Sequence, residues 1–294
     1  MGPSPGSVAI GVPCFREVDR VALLAAALAR LDPAPGALLA VDDGSGDGTK
    51  EALEAAGFDV VAHERNRGLG VARNTLWRRA DSLGMQAIAF LDADVLPPAD
   101  YLRRVCTNLA SGRIAGVGGR NLDLSPQTWV DSWRGRFWPQ DLGSAPSSDA
   151  PMLIGACATY RLSALRDVGG FNPAFRTNGE DVDIGRRLRE QGQRLLYDPG
   201  LVVTHVRRDT PEDLLRMCYR HCREGMRATV QTPGGDGDPG PAALVAGMAK
   251  KAVRAPAAAL VRRKDPKEAV LGAAACGAGL LGYAVGWARP RKRR

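Results

Sequence analysis

Phe90-Leu91-Asp92-Ala93-Asp94-Val95 is the stretch that decides the fold, because a short apolar run ends there in two carboxylates one residue apart. The run from Ala87 to Leu91 predicts a buried strand, and Pro97-Pro98 prevents the chain from continuing as a paired strand. In an open α/β sheet, ligands bind beyond the carboxyl ends of the strands, where Asp92 and Asp94 would lie. Two carboxylates there suit Mg²⁺ or Mn²⁺ and a diphosphate, although two acids that merely end a strand fit the same spacing.

The sequence around this stretch alternates between strand and helix patterns. Val8 to Val12 and Ala37 to Val41 are apolar runs that predict strands, and Val18 to Leu31 predicts the helix between them. Val60 to His63 predicts a further strand before the one that ends at Asp92. A strand-helix unit repeated about every 25 to 30 residues predicts a parallel sheet with right-handed crossovers.

Polar loops follow these strands and supply candidate binding residues. Asp42 and Asp43 open an acidic loop whose glycines allow tight turns. The stretch from Asn66 to Asn74 has two glycines that let a ligand approach the backbone. Arg73 lies near the start of the next helix, where it could bind an anion or the edge of a base.

The second half of the chain carries two more candidate sites. Asn178 to Asp183 opens a helix that runs to Gln191, and Asp181 lies in its first turn. Acids there favour the helix dipole, so a capping role is an alternative to a catalytic one for Asp181. Val202 to Val206 predicts a strand that contains His205, which is either a metal ligand or a strand-edge histidine.

Charge and hydropathy set the end of the chain apart. The net charge is +8 and the pI about 9.5, and the block from Lys250 to Arg294 is rich in Lys and Arg with only two acids. A basic tail beside apolar sequence indicates an anionic membrane surface rather than a nucleic acid. The twenty residues from Ala269 to Ala288 carry no charge and could span a bilayer, with a buried helical hairpin as the alternative.

Cysteines and aromatics leave two further hypotheses open. The six cysteines form no disulfide framework, which favours a reducing cytoplasm. Cys218, His221 and Cys222 would share a helical face, where core packing is favoured over zinc because only three ligands are local. The aromatic-rich segment 120–150 fits either a membrane-facing or acceptor-side flap or a small hydrophobic core.

Taken together, the motifs resemble the inverting family 2 glycosyltransferases, which have the GT-A fold. The resemblance covers roughly residues 7 to 208, and its motifs stand in the family's order. Cys14-Phe15 departs from the family's usual polar residue followed by Tyr-Asn, which changes the nucleotide pocket. The matching stretches are Val12-Pro13 with Glu17, Asp42-Asp43-Gly44-Ser45, Asn66 to Asn74, Asp92-Ala93-Asp94, Gly169-Gly170-Phe171 and Gly179-Glu180-Asp181.

The resemblance implies a Rossmann-like α/β/α sandwich with a mostly parallel central sheet, followed by a helical, membrane-associated tail. The implied reaction moves a sugar from a nucleotide-diphosphate-sugar to an acceptor hydroxyl with inversion. Asp181 would take the proton of that hydroxyl, with Glu180 beside it in the catalytic pair. The residues implied to bind the donor are Pro13, Glu17, Asp42, Asp43, Arg73 and Asp92. The ligands implied for Mn²⁺ or Mg²⁺ are Asp92, Asp94 and His205.

The resemblance and the tail together predict an organisation and a location. We expect a catalytic domain over 7–208, its last helix over 209–232, a linker over 233–241 and a basic tail over 242–294. Within the tail we expect an interfacial helix and a possible transmembrane helix over 269–288. The protein would then work at the cytoplasmic side of the membrane on a glycan or lipid-linked acceptor of the cell envelope, with no nucleic acid partner.

Three other functions compete with this interpretation. A sugar nucleotidyltransferase would need a glycine-rich loop with a Lys or Arg after the first strand, where this chain has Pro13-Cys14-Phe15. A catalytically inactive, membrane-bound nucleotide-sugar-binding protein would be indicated by loss of Asp94 or Asp181, and both are present. A dinucleotide-dependent dehydrogenase lacks its Gly-x-Gly-x-x-Gly after the first strand.

Overall fold

The structure is a computed structural model that describes residues 2–111, 113–123, 126–231, 240–250 and 266–288. By packing, the chain divides into two units. Unit 1 comprises Met1–Ser125, Pro139–Arg176 and Glu180–Arg207. Unit 2 comprises Pro126–Trp138, Thr177–Gly179 and Arg208–Arg294.

Unit 1 is built on one sheet of eight strands in the order β3-β2-β1-β4-β7-β6-β8-β5. The first four strands pair with one another in parallel, as the alternating sequence pattern predicts. These strands and the helices between them are β1 (Val8–Cys14), α1 (Val18–Leu28), β2 (Ala37–Asp42), α2 (Thr49–Ala55), β3 (Asp59–Ala62), α3 (Leu69–Ser82) and β4 (Ala87–Phe90).

The other half of the sheet is mixed. β7 is antiparallel to both β4 and β6, β5 is antiparallel to β8, and only β6 and β8 pair in parallel. Four of the seven strand pairings in the sheet are parallel, so the expected mostly parallel α/β sheet is confirmed. The remaining elements of unit 1 are β5 (Val95–Leu96), α4 (Tyr101–Asn108), β6 (Ile114–Leu122), β7 (Ala158–Arg161), α6 (Leu162–Asp167), α7 (Glu180–Glu190) and β8 (Arg194–His205).

The core lies on both faces of this sheet. Val8, Ile10 and Val12 of β1 are buried in one cluster with residues of α1, whereas Ala9 belongs to a second cluster that includes residues of α3 such as Leu76. Alternate side chains of one strand point to opposite faces, so a strand covered on both faces reads as a continuous apolar run. This is why the first strand could be located from the sequence.

Unit 2 is helical in its described residues. It contains α5 (Trp129–Phe137), α8 (Pro211–Gln231), the helical segment α9 over residues 241–250, and α10 (Pro266–Ala288). The predicted helix over 209–232 falls on α8, which belongs to unit 2. Most of the predicted linker and the later part of the predicted interfacial helix lie outside the described residues.

The core of unit 2 explains two sequence features. Val130 and Trp133 of the aromatic segment pack with residues of α8 and α10 in a small hydrophobic cluster. Cys218 joins the same cluster and Cys222 an adjoining one, so both thiols are packing groups. Within the described ranges, no group of three His, Cys, Asp or Glu side chains is arranged to hold a metal ion.

Candidate active site

The carboxyl ends of β1, β2 and β4 bring several acids together at one edge of the sheet. The register pairs Cys14 with Asp42, so the two strands end side by side. Burial raises the pKa of the Cys14 thiol well above its usual range, and the nearby charges of Glu17, Asp42 and Asp92 raise it further. The predicted donor-binding acids therefore converge on one small region of unit 1.

Glu17 extends this acidic region. Burial raises the pKa of the Glu17 carboxyl, the adjacent Arg20 lowers it, and the charges of Asp94 and Asp92 raise it again. The Glu17 backbone N–H donates to Oγ1 of Thr49 at 3.0 Å, which fixes the loop after β1 against the start of α2. Glu17 therefore adds a further acid to the region around Asp92 and Asp94.

The Asp43 carboxylate has a structural set of partners. It accepts hydrogen bonds from the backbone N–H groups of Arg67 (2.9 Å) and Gly68 (2.7 Å), and Nδ1 of His63 lies 2.6 Å from its Oδ1. Asp42 is less committed, since its Oδ1 accepts one bond, from the backbone N–H of Ser45 at 3.2 Å. Asp43 therefore shapes the loop between β3 and α3, which the sequence had not indicated.

Arg73 is the central cation of the site. Its side chain is only 2% exposed, and Nη1 donates to Oε1 of Glu180 at 2.6 Å while Nη2 donates to Oδ1 of Asp92 at 3.3 Å. The guanidinium also lies 5.7 Å from the ring centre of Phe90 and 5.8 Å from that of Phe171. Arg73 therefore connects the Asp-x-Asp stretch to the acidic start of α7.

Glu180 and Asp181 are both harder to ionise than ordinary carboxyls. Burial raises the pKa of Glu180 to about 7, against the opposing charge of Arg73, and the charge of Asp181 adds to the rise. Burial likewise raises the pKa of Asp181, again opposed by Arg73. A carboxylate of raised pKa is a better proton acceptor, which suits a general base.

Asp181 also makes local backbone contacts. Its Oδ1 accepts from the N–H of Val182 at 2.8 Å and its Oδ2 from the N–H of Gly155 at 3.4 Å. A Cβ added at Gly155 would lie 2.5 Å from Nη1 of Arg73, so a side chain at this position would displace the guanidinium. The backbone of Gly155 therefore lies against the Arg73 guanidinium and donates a hydrogen bond to the Asp181 carboxylate.

Asp94 and His205 are brought together by the pairing of β5 with β8, which sets Val95 opposite His205. Oδ2 of Asp94 lies 2.8 Å from Nε2 of His205, and Nε of Arg207 donates to the same nitrogen at 3.1 Å. Nε2 of His205 has one lone pair, which the Arg207 contact occupies, so a metal held there would take the place of that contact. A carboxylate oxygen and an imidazole nitrogen at this distance are ligand types that suit a divalent metal.

Asn74 is not among the residues that the sequence predicts for the site, yet it holds a site loop in place. Its Oδ1 accepts from the N–H of Phe171 and from Nε1 of Trp77, both at 2.8 Å, and its Nδ2 donates to the carbonyl of Phe171 at 2.7 Å. A Cβ at Gly170 would collide with the Asn74 amide. The Gly169-Gly170-Phe171 turn is thus clamped to α3, with the Phe171 ring beside Arg73.

A second unpredicted contact lies in unit 2. Nδ2 of Asn178 is 3.2 Å from Nε2 of His221 on α8. Burial lowers the pKa of His221 to about 4, and the charge of Arg134 lowers it further, so the imidazole is neutral at ordinary pH. Asn178 precedes Glu180 by two residues in the chain.

The chain is similar in sequence to two mycobacterial glycosyltransferases. A pre-mycofactocin glycosyltransferase of Mycobacterium tuberculosis is 30% identical over 227 residues, which are 72% of this chain and 45% of that protein. An N-acetylglucosaminyl-diphospho-decaprenol L-rhamnosyltransferase of the same organism is 32% identical over 129 residues, 44% of this chain and 38% of that protein. This chain thus spans less than half the length of these two relatives.

Solved structures show the same fold. A mannosyltransferase from Pyrobaculum calidifontis, in complex with GDP-Man and Mn2+, superposes with a TM-score of 0.66 at 20% identity, over 99% of this chain and 90% of that one. S. aureus TarS 1-349 in complex with UDP-GlcNAc gives 0.57 at 16% identity, over 78% and 68%. The expected GT-A fold is therefore confirmed. The sequence model described as Glycosyl transferase family 2 matches residues 9–169, more than half of the chain, so this protein belongs to glycosyl transferase family 2.

Proposed function

We propose that this protein transfers a sugar from a nucleotide-diphosphate-sugar to an acceptor hydroxyl with inversion at the anomeric carbon. The observation that carries the proposal is the buried Arg73, which binds Asp92 on the Asp-x-Asp side and Glu180 beside Asp181. Arg73 thereby fixes the Asp-x-Asp stretch, proposed to bind the donor, relative to the start of α7, which carries the proposed base. Such fixed geometry lowers the entropy cost of a displacement between two bound substrates.

Asp181 is the proposed general base. It would accept the proton of the acceptor hydroxyl as that oxygen attacks the anomeric carbon, while the bond from this carbon to the diphosphate breaks. The nucleoside diphosphate leaves from the opposite face, so one displacement inverts the configuration. The raised pKa of Asp181 increases its proton affinity in this step.

Donor binding is assigned to the edge formed by β1, β2 and α3. Asp42 is proposed to contact the base or ribose, because its carboxylate has one oxygen accepting a single backbone bond. Asp43 is proposed to act through the loop that it shapes, with Arg73 holding Asp92 toward the ribose. The Pro13 backbone and Glu17 lie on the loop after β1 and would line the same pocket.

Asp94, Asp92 and His205 are proposed to hold Mn²⁺ or Mg²⁺, since carboxylates and an imidazole are suitable ligands. When bound, such a metal would neutralise negative charge on the departing diphosphate. The pairing of Asp94 with His205 supports this assignment, as does the presence of Mn2+ in the Pyrobaculum structure.

The acceptor is proposed to be a lipid-linked or other cell-envelope glycan, handled at the cytoplasmic side of the membrane. One relative is named for a decaprenol-linked diphosphate sugar, and α10 is long and apolar enough to cross a membrane.

A donor panel tests the proposal. The full-length protein is incubated with UDP-, GDP- and dTDP-sugars, and hydrolysis and calorimetric binding are measured with Mn²⁺, with Mg²⁺ and with a chelator. We expect one donor class to bind tightly only with metal, and Asp94→Asn to weaken that binding. The exposed Asp19→Asn on α1 is the matched control. Equal donor binding with and without chelator would remove the metal role, and binding of no nucleotide-sugar would overturn the proposed function.

A further inference from the structure

Arg207 is a buried cation in direct contact with a proposed metal ligand. It follows His205 by two residues, and its side chain is only 5% exposed. Its Nε donates to Nε2 of His205 at 3.1 Å, and its Nη2 donates to Oε1 of Gln140 at 2.7 Å. Its Nη1 is buried and has no hydrogen-bond partner among the described residues. A buried guanidinium with an unused donor is suited to bind a negatively charged group.

Polar neighbours in unit 1 hold the Arg207 side chain at this position. Oε1 of Gln140 also accepts from Nδ2 of Asn121 at 2.8 Å, and the Asn121 backbone N–H donates to the Gln140 carbonyl at 3.1 Å. Nε of Arg207 lies 3.6 Å from Oδ1 of Asp123, which makes an ion pair longer than a hydrogen bond. Arg207 therefore keeps Gln140 and Asp123 as partners when its bond to His205 is broken.

Two groups compete for Nε2 of His205. Oδ2 of Asp94 lies 2.8 Å from this nitrogen, and Nε of Arg207 lies 3.1 Å from it. A protonated Nε2 donates to Asp94 and has no lone pair for Arg207, whereas an unprotonated Nε2 accepts from Arg207 and has no proton to share with Asp94. Neither form of the imidazole satisfies both contacts. A divalent metal on Nε2 suits the nitrogen and the carboxylate together, and it requires that the bond from Arg207 be broken.

Charge gives the displaced arginine a second partner. Asp92 and Asp94 together offset the charge of a divalent metal, so a diphosphate brought to that metal needs a further cation. Arg207 is in contact with the proposed ligand His205 and has the unused donor Nη1. Its Nε, once released from His205, would be a second donor on the same planar group. Arginine binds phosphate oxygens best through two such donors.

We propose that Arg207 exchanges partners when the donor binds: its Nε–H leaves Nε2 of His205 as a divalent metal binds there, and its guanidinium then binds the diphosphate of the nucleotide-sugar. The proposal rests on the metal and donor binding proposed above, and it adds a residue that couples the two. Arg207 opposes the metal when the metal binds alone and favours the metal and the diphosphate together.

Two binding measurements on the full-length protein test this exchange. Binding of Mn²⁺ alone is followed by the electron paramagnetic resonance signal of free Mn²⁺, and binding of UDP, GDP and dTDP at saturating Mn²⁺ by calorimetry. In Arg207→Met we expect Mn²⁺ alone to bind about three- to tenfold more tightly, because a competing donor and its charge are removed. The nucleoside diphosphate that the wild type binds best should bind at least about tenfold more weakly, because charge-assisted bonds to phosphate are lost.

Two further variants complete the test. Arg207→Lys keeps the charge but not the planar group, so Mn²⁺ should bind nearly as in the wild type and the nucleoside diphosphate about three- to fivefold more weakly. Arg104→Met on α4 controls for the loss of one positive charge, because Arg104 is an arginine of unit 1 that pairs with Asp100. Melting temperatures establish that each variant is folded. If Arg207→Met does not fold, Arg207→Lys decides the question by the same two measurements.

Several outcomes would overturn the proposal. Weaker binding of Mn²⁺ and of the nucleoside diphosphate by a similar factor would show that Arg207 only supports the fold around His205. Unchanged binding of both would show that the guanidinium neither competes with the metal nor contacts phosphate. Either result would leave the proposed glycosyl transfer standing. A wild type that binds no nucleoside diphosphate with Mn²⁺ would instead overturn the proposed function, and the role of Arg207 with it.

Discussion

Glu180→Gln is the perturbation that tests the electrostatics of the site most sharply. Glu180 is buried, and its burial raises its pKa, while the charge of Arg73 lowers it and the charge of the nearby Asp181 raises it. Because its pKa in the fold is about 7 and the ordinary value is 4.5, the folded protein is most stable when Glu180 is protonated. This contribution is fully present below pH 4.5 and is lost as the pH rises through 7.

The size of the effect follows from the same values. A tenfold change in proton affinity corresponds to about 1.4 kcal/mol, so the rise from 4.5 to about 7 gives a cost of about 3 kcal/mol for ionising Glu180. Glutamine resembles the protonated acid in size and carries no charge. The variant should therefore match the wild type near pH 4.5 and exceed its unfolding free energy at pH 8 by up to about 3 kcal/mol. In the variant, the charge of Arg73 is still balanced by Asp92, whose Oδ1 lies 3.3 Å from Nη2 of the arginine.

The assay is urea denaturation of the metal-free protein at intervals from pH 4.5 to 8.5. Glu190→Gln on the same helix is the matched control, since the Glu190 side chain is half exposed. The control should keep the wild-type dependence on pH, and Glu180→Gln should flatten it. A Glu180→Gln protein less stable than the wild type at pH 8 by about 3–5 kcal/mol would refute the reasoning, because the ion pair with Arg73 would then dominate.

Three further predictions concern residues that hold the site in place. Asn74→Ala leaves two buried N–H donors without a partner and should cost about 2–4 kcal/mol in chemical denaturation, with Asn74→Asp costing less because it keeps both acceptor contacts. Asp43→Asn replaces an acceptor that faces two backbone donors, so calorimetry should show weaker donor binding. His221→Gln should keep the contact with Asn178 and wild-type turnover, whereas His221→Leu should lower kcat at unchanged donor KM. Because the pKa of His221 is depressed to about 4, both His221 variants should also remove the stability loss that the wild type shows as the pH falls below 6.5.

The sequence predicted the first half of the sheet well because each signal there is local. A buried parallel strand is a continuous apolar run, and the acids that end β2 and β4 stand directly after such runs. The second half was harder. β5 has only two residues, and β7 reverses direction between two other strands, so neither leaves a clear periodic pattern.

The contacts that define the site could not be derived from the sequence. Arg73 and Glu180 are 107 residues apart, and their pairing depends on how α3 and α7 pack on the sheet. The engagement of Asp43 by backbone donors likewise depends on the path of the next loop. The apolar run over 269–288 predicts a helix, but the contacts of its glycines with α8 could not be derived from the sequence.

The measurement that tests the central claim most directly is the turnover of Asp181→Asn beside its donor affinity. Asparagine keeps the size of the side chain and one acceptor oxygen for the N–H of Val182, but it cannot take a proton. We predict that kcat for transfer falls by about two to four orders of magnitude while the Kd for the nucleotide-sugar and the melting temperature stay near wild type. A variant with nearly normal turnover that loses about 1 kcal/mol of stability would show that Asp181 only caps α7, and would contradict the proposed mechanism.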